Sequence, residues 1–388
     1  MKIEKAIVIG GGIGGLTLAL ALNRVGAPVE VYERAPELKE VGAGLGVWTN
    51  AVKVLDRLGV GRRIREIGLP LRFGEFCTEK GQVVSRTNIE NIVKEDGASC
   101  YVMRRTDLLN AIAEQVSQGV VRTGHECVKV EQDNAGVTAH FTNGETVRGT
   151  LLIGADGINS IVRAHLWGNS KPRYSGQTCF RGIADIAPKD LQLIREIHGA
   201  GKRAGICPLS EKRTYWFAAL NAKEGELISL NKRRDWLLKE FRSWPFQVPE
   251  VIEATPSERM LQNDLVDRAP IPRWTRGRIT LLGDAAHPTT PNLGQGACMA
   301  IEDALVLTRC LVEEQTLSEA FDAYERERLT RTADIVNTSW NYGRTMLWTN
   351  PLLVWLRETV VKLTPPSIAE KAFREQVGYD AGPLPQAQ

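Results

Sequence analysis

The chain has 388 residues, with 49 Lys plus Arg against 46 Asp plus Glu and a formal net charge of +3, so it lacks the concentrated basic charge of a nucleic-acid footprint. A hydrophobic content of 43% supports a well-buried core, in two domains or one large discontinuous one. The seven cysteines are scattered and form no Cys-x-x-Cys pair, which argues against a disulfide framework or a zinc site and for a reducing, cytoplasmic compartment.

No signal peptide is expected, because Met1-Lys2-Ile3-Glu4-Lys5 leads directly into a strand, KAIVIGG (5–11). GLTLALALNRVG (15–26) follows as an amphipathic helix with Gly26 as its C′ residue, and VEVYER (29–34) as a second strand. This β-α-β opening is that of a doubly wound parallel sheet. Strand-like runs appear around 81–86 and 120–131, and then at VTAHF (137–141), whose turn at Asn143-Gly144 signals a hairpin with TVRGTLLIGA. Residues 175–270 carry short β-like runs with more Pro and Trp, and predict an antiparallel sheet in a separate layer. RITLLGDAAH (278–287) is again a buried strand running into a loop, followed by helices at 293–313 and 317–343. The Trp- and Leu-rich stretch 342–364 is expected to be a C-terminal helix pair packed on the body rather than a membrane-surface helix, and AGPLPQAQ at the end a disordered tail. No apolar run reaches the ~18 residues of a spanning helix.

Three motifs carry chemistry. The first is Gly10-x-Gly12-x-x-Gly15, with Gly14 inside it, placed after a strand and opening a helix. Glycines there serve a tight turn, close backbone approach to a pyrophosphate and close helix–strand packing, and the helix N-terminus offers N–H groups to phosphates. Glu33, with Arg34 beside it, ends the second strand, where a carboxylate accepts ribose hydroxyls and repels a 2′-phosphate. This fingerprint predicts a bound dinucleotide and leaves NAD and FAD both open. The second is Gly283-Asp284-Ala-Ala-His287-Pro288 with Pro291-Asn-Leu-Gly294-Gln295-Gly296. Asp284 is suited to a sugar chain's hydroxyls, and Gly294 and Gly296 to backbone approach to a ring that gains negative charge, as a reduced flavin does. The third is Gly154-Ala155-Asp156-Gly157 through Arg163.

In this order and spacing the motifs resemble those of the single-component flavoprotein monooxygenases related to p-hydroxybenzoate hydroxylase, most nearly the salicylate hydroxylase and FAD-dependent urate hydroxylase branch. Supporting stretches are Val41–Asn50, Arg104-Arg105-Thr-Asp-Leu108 and Tyr174–Gly182. The resemblance implies an α/β protein: a Rossmann-like FAD-binding domain, discontinuous over 1–72, 98–172 and 268–345, an inserted β-sheet substrate domain over 73–97 and 173–267, and C-terminal helices with a tail over 346–388. It implies bound FAD, NADH or NADPH as transient reductant, O2 as co-substrate and oxygen transfer from a flavin C4a-hydroperoxide, in a monomer or homodimer. It assigns Gly10, Gly12, Gly15 and Glu33 to the ADP part of FAD, Arg105 and Asp156 to cofactor contacts, Asp284 to the ribityl chain, and Gly294 and Gly296 to the ring.

The sequence has no second Rossmann fingerprint and no dithiol motif, which excludes pyridine nucleotide–disulfide reductase chemistry. Ionising an electron-rich aromatic substrate calls for a cation or hydrogen-bonding group, and the candidates in the β-rich insert are Arg181, Arg203 and Tyr215. Arg203 and Tyr215 fall where urate hydroxylases carry a substrate-facing arginine and tyrosine. Arg181 stands where those enzymes place an asparagine, which counts against urate itself. The expected activity is hydroxylation of a small aromatic or heteroaromatic compound. Oxidation of an apolar, isoprenoid-like substrate at a membrane surface and ligand sensing without turnover are the rival readings.

Overall fold

The computed structural model of the chain describes residues 3–38 and 43–386. Met1, Lys2, the Val41-Gly42 start of the first supporting stretch, and Ala387-Gln388 lie outside the described residues.

The β-α-β opening is present as Ala6–Ile9, Ile13–Arg24 and Val29–Glu33. These strands join Val121–Thr123, Leu151–Gly154 and Ile279–Leu281 in a five-stranded sheet. Every pairing in it is parallel, and the order is Ile279–Leu281, Leu151–Gly154, Ala6–Ile9, Val29–Glu33, Val121–Thr123. The first helix differs from the amphipathic expectation. Residues Gly15 to Leu22 are all buried, because the helix is packed between the sheet, Arg105–Ala113 and Gly296–Glu313. Its stop is as expected, with Gly26 at φ 77° just past Val25.

The run 120–131 is two strands, Val121–Thr123 in the parallel sheet and Cys127–Gln132 in an antiparallel meander with Val137–Phe141 and Thr146–Gly149. The hairpin turn at Gly144 has φ 83°. TVRGTLLIGA likewise divides, its second half becoming a central parallel strand whose Leu151, Leu152 and Ile153 are fully buried.

The middle of the chain forms a seven-stranded sheet ordered Leu261–Asp267, Arg173–Ala184, Arg213–Asn221, Lys202–Ser210, Leu193–His198, Phe73–Thr78, Val83–Asn88. It is antiparallel except where Leu193–His198 runs parallel to Phe73–Thr78. Its outer face has its own core, with Trp216, Phe180, Phe241 and Val251 under two short helices. Its other face turns toward the parallel sheet. Gly199 and Gly201 serve the turn between two of its strands.

Leu317–Met346 is a 30-residue helix started by a Thr316/Glu319 capping box. The stretch 342–364, expected to be a helix pair, holds the end of that long helix and one further helix, Pro351–Leu363; a helix beyond it, Pro366–Val377, follows, and both pack along the edge strand Val83–Asn88. The end of the chain corrects the disordered-tail expectation. Within its described residues, 381–386, Ala381 is buried and Leu384 packs against the main core, and just before it Asp380 pairs with Arg57 at 2.5 Å. Among the described residues no helix is long and apolar enough to cross a membrane, and no cluster of acidic, His or Cys side chains could hold a metal.

Candidate active site

Where the first parallel strand ends, the chain must turn within two residues and start a helix. Gly10 does so at φ 109°, and a Cβ there would lie 2.3 Å from the Ala155 carbonyl oxygen. A Cβ on Gly15 would lie 2.0 Å from the Gly10 carbonyl oxygen, so this glycine lets helix and turn touch. Gly12 caps the helix, and a Cβ on Gly14 would meet Leu282 at 2.7 Å. The resulting cradle is bare backbone at a helix N-terminus. Glu33 braces it: one carboxylate oxygen accepts from the Gly11 amide at 2.7 Å and the other from the Ala35 amide at 2.9 Å.

Asp156 lies beside Gly10. Its carboxylate accepts from the Ser160 hydroxyl at 2.5 Å and the Ile161 amide at 2.8 Å, which fixes the start of helix Ile161–Trp167. Burial raises its pKa, opposed by those hydrogen bonds. Three residues into that helix, Arg163 is buried and donates to the Ala285 and Ala286 carbonyls at 3.0 and 2.8 Å. It thereby ties the third motif to the loop that carries Asp284.

That loop rests on a buried ionic cluster. Asp303 accepts from the Gly283 amide at 3.0 Å, His287 Nε2 at 2.6 Å and Arg328 Nε at 2.7 Å. Next to it, Glu302 pairs with Arg328 at 2.6 Å and Arg331 at 2.8 Å, and also accepts from Asn50. Glu302, Asp303 and Arg328 are fully buried. Burial pushes the Asp303 carboxyl up, but His287 and Arg328 outweigh it and hold it at about 2. Gln295 is buried and accepts from Asn50 at 2.9 Å. The cluster fixes the N-terminal end of helix Gly296–Glu313 against the loop, and Trp48 Nε1 donates to the Gly294 carbonyl at 3.0 Å. Gly294 has φ 64°.

Both loops open into one cavity of about 1150 Å³. Gly10, Gly12, Gly14, Glu33, Arg34 and Asp156 line it at one end, and Arg105 is also in its wall. Asp284, Pro291, Gly294 and Gly296 line its far side. Gly15 and Gln295 lie outside it, the first within the helix–turn contact and the second beneath the loop.

The seven-stranded sheet closes the cavity with Arg181, Arg203 and Tyr215. Arg203 is only 3% exposed. Burial opposes its charge, yet Glu196 keeps its pKa raised through a contact of 2.6 Å. Arg203 also donates to Asn292, in the loop before Gly294, and packs over the rings of Phe217 and Tyr342. Arg181 donates to Asn263 at 2.6 Å, and its buried Nε has no partner among the described residues. Tyr215 packs against Gly44, where a Cβ would lie 2.7 Å from its ring. Burial raises the pKa of its hydroxyl well above the ordinary tyrosine value, so it stays a neutral donor.

The chain matches a family model described as FAD binding domain over residues 4–339. It belongs to that family. It is 37% identical over 358 residues to an aurachin C monooxygenase/isomerase of Stigmatella aurantiaca, covering 92% of this chain and 93% of that protein. It is 34% identical over 340 residues to an FAD-dependent urate hydroxylase of Klebsiella pneumoniae, covering 86% and 88%. A solved structure of Klebsiella pneumoniae HpxO with FAD and uric acid superposes with a TM-score of 0.91 at 30% identity, covering 98% of each chain. The protein is an FAD-dependent oxidoreductase of the monooxygenase class.

Several residues of this site went unnoticed in the sequence. Glu302-Asp303 gave a signal, because two adjacent acids inside an apolar helix must be paired if the helix is buried. Glu196, Asn292 and Tyr342 gave none, since each acquires its place only when the sheet, loop and long helix meet.

Proposed function

We propose that this chain uses NADH or NADPH and O2 to hydroxylate a small heteroaromatic ring held between Tyr215, Arg203 and the Pro291–Gly296 loop. The observation that carries this reading is the single cavity that joins the glycine cradle, the Asp284 loop and the Arg203 wall. When bound, FAD supplies the two-electron chemistry and the activation of oxygen.

The residues present fit that group. The cradle at Gly10, Gly12 and Gly14 leaves backbone for a pyrophosphate, and Glu33 shapes it while lining the cavity. Arg34 and Arg105 are cations on the same wall, suited to phosphate oxygens. Asp284 is the acceptor for a sugar chain; the Gly294 amide already donates to the Pro291 carbonyl at 3.0 Å, so it is Gly296 and the helix it opens that offer N–H groups to a ring that becomes negative. On the substrate side, Arg203 presents a permanent positive charge that favours the ionised form of a ring hydroxyl or N–H. Glu196 and Asn292 hold that guanidinium in place. Tyr215 offers a neutral hydroxyl donor at the cavity wall, and Arg181 offers its Nε, which has no partner among the described residues. The sheet and the helices above it keep bulk water from the ring.

The relatives' names support a heteroaromatic substrate, since urate hydroxylase and aurachin C monooxygenase are both among them. The test is a screen of purines, quinolones, phenols and aromatic acids for accelerated NAD(P)H consumption, with product mass read alongside. The reading predicts at least one ring compound that gains a single oxygen atom. A yellow, FAD-loaded protein that consumes NAD(P)H no faster with any ring, and yields only peroxide, would refute it.

A further inference from the structure

The helix Pro351–Leu363 is folded with its polarity reversed. Its cation, Arg357, points inward, 6% exposed, and donates to the Gly199 and Thr345 carbonyls at 3.1 and 3.3 Å. Its large apolar side chains point outward: Leu352 is 68% exposed, Trp355 58%, Leu356 44%, Val360 57% and Leu363 74%. Ile368, on the next helix, adds another at 58%. Most other exposed large apolar residues are scattered singly along the chain. A contiguous apolar patch of this kind marks a surface that is covered when the protein works.

The structure assigns this face to an anionic lipid surface. Residues 352, 356, 360 and 363 follow helical spacing and form one exposed apolar stripe along the helix, the pattern of a helix that lies in a bilayer interface. The exposed cations Lys362, beside Leu363, and Lys371, one turn after Ile368, fringe it. The acids nearest in sequence, Glu358 and Glu370, are half-buried, and the exposed acid of the two helices, Glu375, lies a turn past Lys371. A two-fold contact between copies through this face would bring two fringes of the same charge to one interface, whereas an anionic membrane attracts that fringe. The face also continues to the cavity: Ala369, Ala372 and Phe373 of the following helix line it. A docked chain would therefore hold its cavity wall at the depth where apolar ring compounds partition. This surface role does not depend on which ring is oxidised.

The experiment is flotation of the FAD-loaded full chain with vesicles of phosphatidylcholine containing a quarter phosphatidylglycerol, and with pure phosphatidylcholine. The expected result is co-flotation with the anionic vesicles, weakened by salt. The pair Leu356→Glu/Val360→Glu, at exposed positions, should bind roughly tenfold less while keeping its flavin absorbance and its melting temperature. Failure to float with either vesicle would overturn the proposal. So would light scattering that shows a dimer dissociated by the same substitutions, since a second copy would then be the occupant.

Discussion

Replacing Arg328 with Met tests whether the ionic cluster holds the flavin-side loop. Arg328 is fully buried between Glu302 at 2.6 Å and Asp303 at 2.7 Å. Removing one partner of a buried pair costs about 3–5 kcal/mol, because a charge is left without compensation. Here Arg331 still serves Glu302 and His287 still serves Asp303, so the loss should fall at the low end, about 3 kcal/mol. At about 2 °C per kcal/mol for a chain of this size, the melting temperature should drop by roughly 6 °C. The pH dependence identifies the cause. The Asp303 carboxyl sits at about 2 in the folded protein, below its unfolded value of ~3.9. Its ionised form therefore stabilises the fold above pH ~4, and that contribution is lost as pH falls from there through about 2. Without Arg328 the folded pKa rises, so the variant's deficit should be largest near neutrality and narrow on acidification. Thermal unfolding followed by circular dichroism and flavin release, at pH 7 and pH 3, reads both effects, since only the second pH lies between the folded and unfolded values of Asp303. A deficit below about 1 kcal/mol, or one equal at the two pH values, would refute the reasoning.

Three further outcomes are expected. Gly10→Ala puts a Cβ 2.3 Å from the Ala155 carbonyl oxygen at φ 109°, so FAD affinity should fall by about tenfold or more, read as flavin retained through gel filtration; full retention would show that the cradle does not hold the pyrophosphate. Tyr215→Phe removes one hydroxyl at the cavity wall and keeps the ring that packs on Gly44, so the melting temperature should hold within a degree or two while substrate-stimulated turnover falls; unchanged turnover with the identified substrate would remove the tyrosine from the site. Glu196→Gln keeps the size of the side chain that holds Arg203 at 2.6 Å. It should lower substrate-stimulated kcat/KM by roughly tenfold or more and leave the unstimulated flavin reduction rate as it was. A matching fall in both rates would make Glu196 a purely structural residue.

Local pattern was enough to announce the cofactor. A strand, Gly10-x-Gly12-x-x-Gly15, a helix and Glu33 are contiguous, and each glycine answers a constraint only a few residues away, such as the 2.0 Å approach of Gly15 to the Gly10 carbonyl. Alternating and continuous apolar runs likewise marked the strands of the parallel sheet, although they could not show that 120–131 breaks between two sheets.

What chain order could not decide was which distant groups meet. Arg203 gains its role from Glu196 across a sheet register and from Asn292 on a loop 89 residues away. Asp156, a candidate cofactor contact by sequence, spends its oxygens on Ser160 and Ile161 once helix Ile161–Trp167 forms. The Leu-rich C-terminal helix looks like ordinary core by composition, and its orientation is set by Arg357 reaching carbonyls at Gly199 and Thr345. Backbone geometry is a local property and can be read from neighbouring residues. The direction a side chain faces, and the charge it finds there, depend on packing between segments far apart in the chain, and these exist only in the assembled fold.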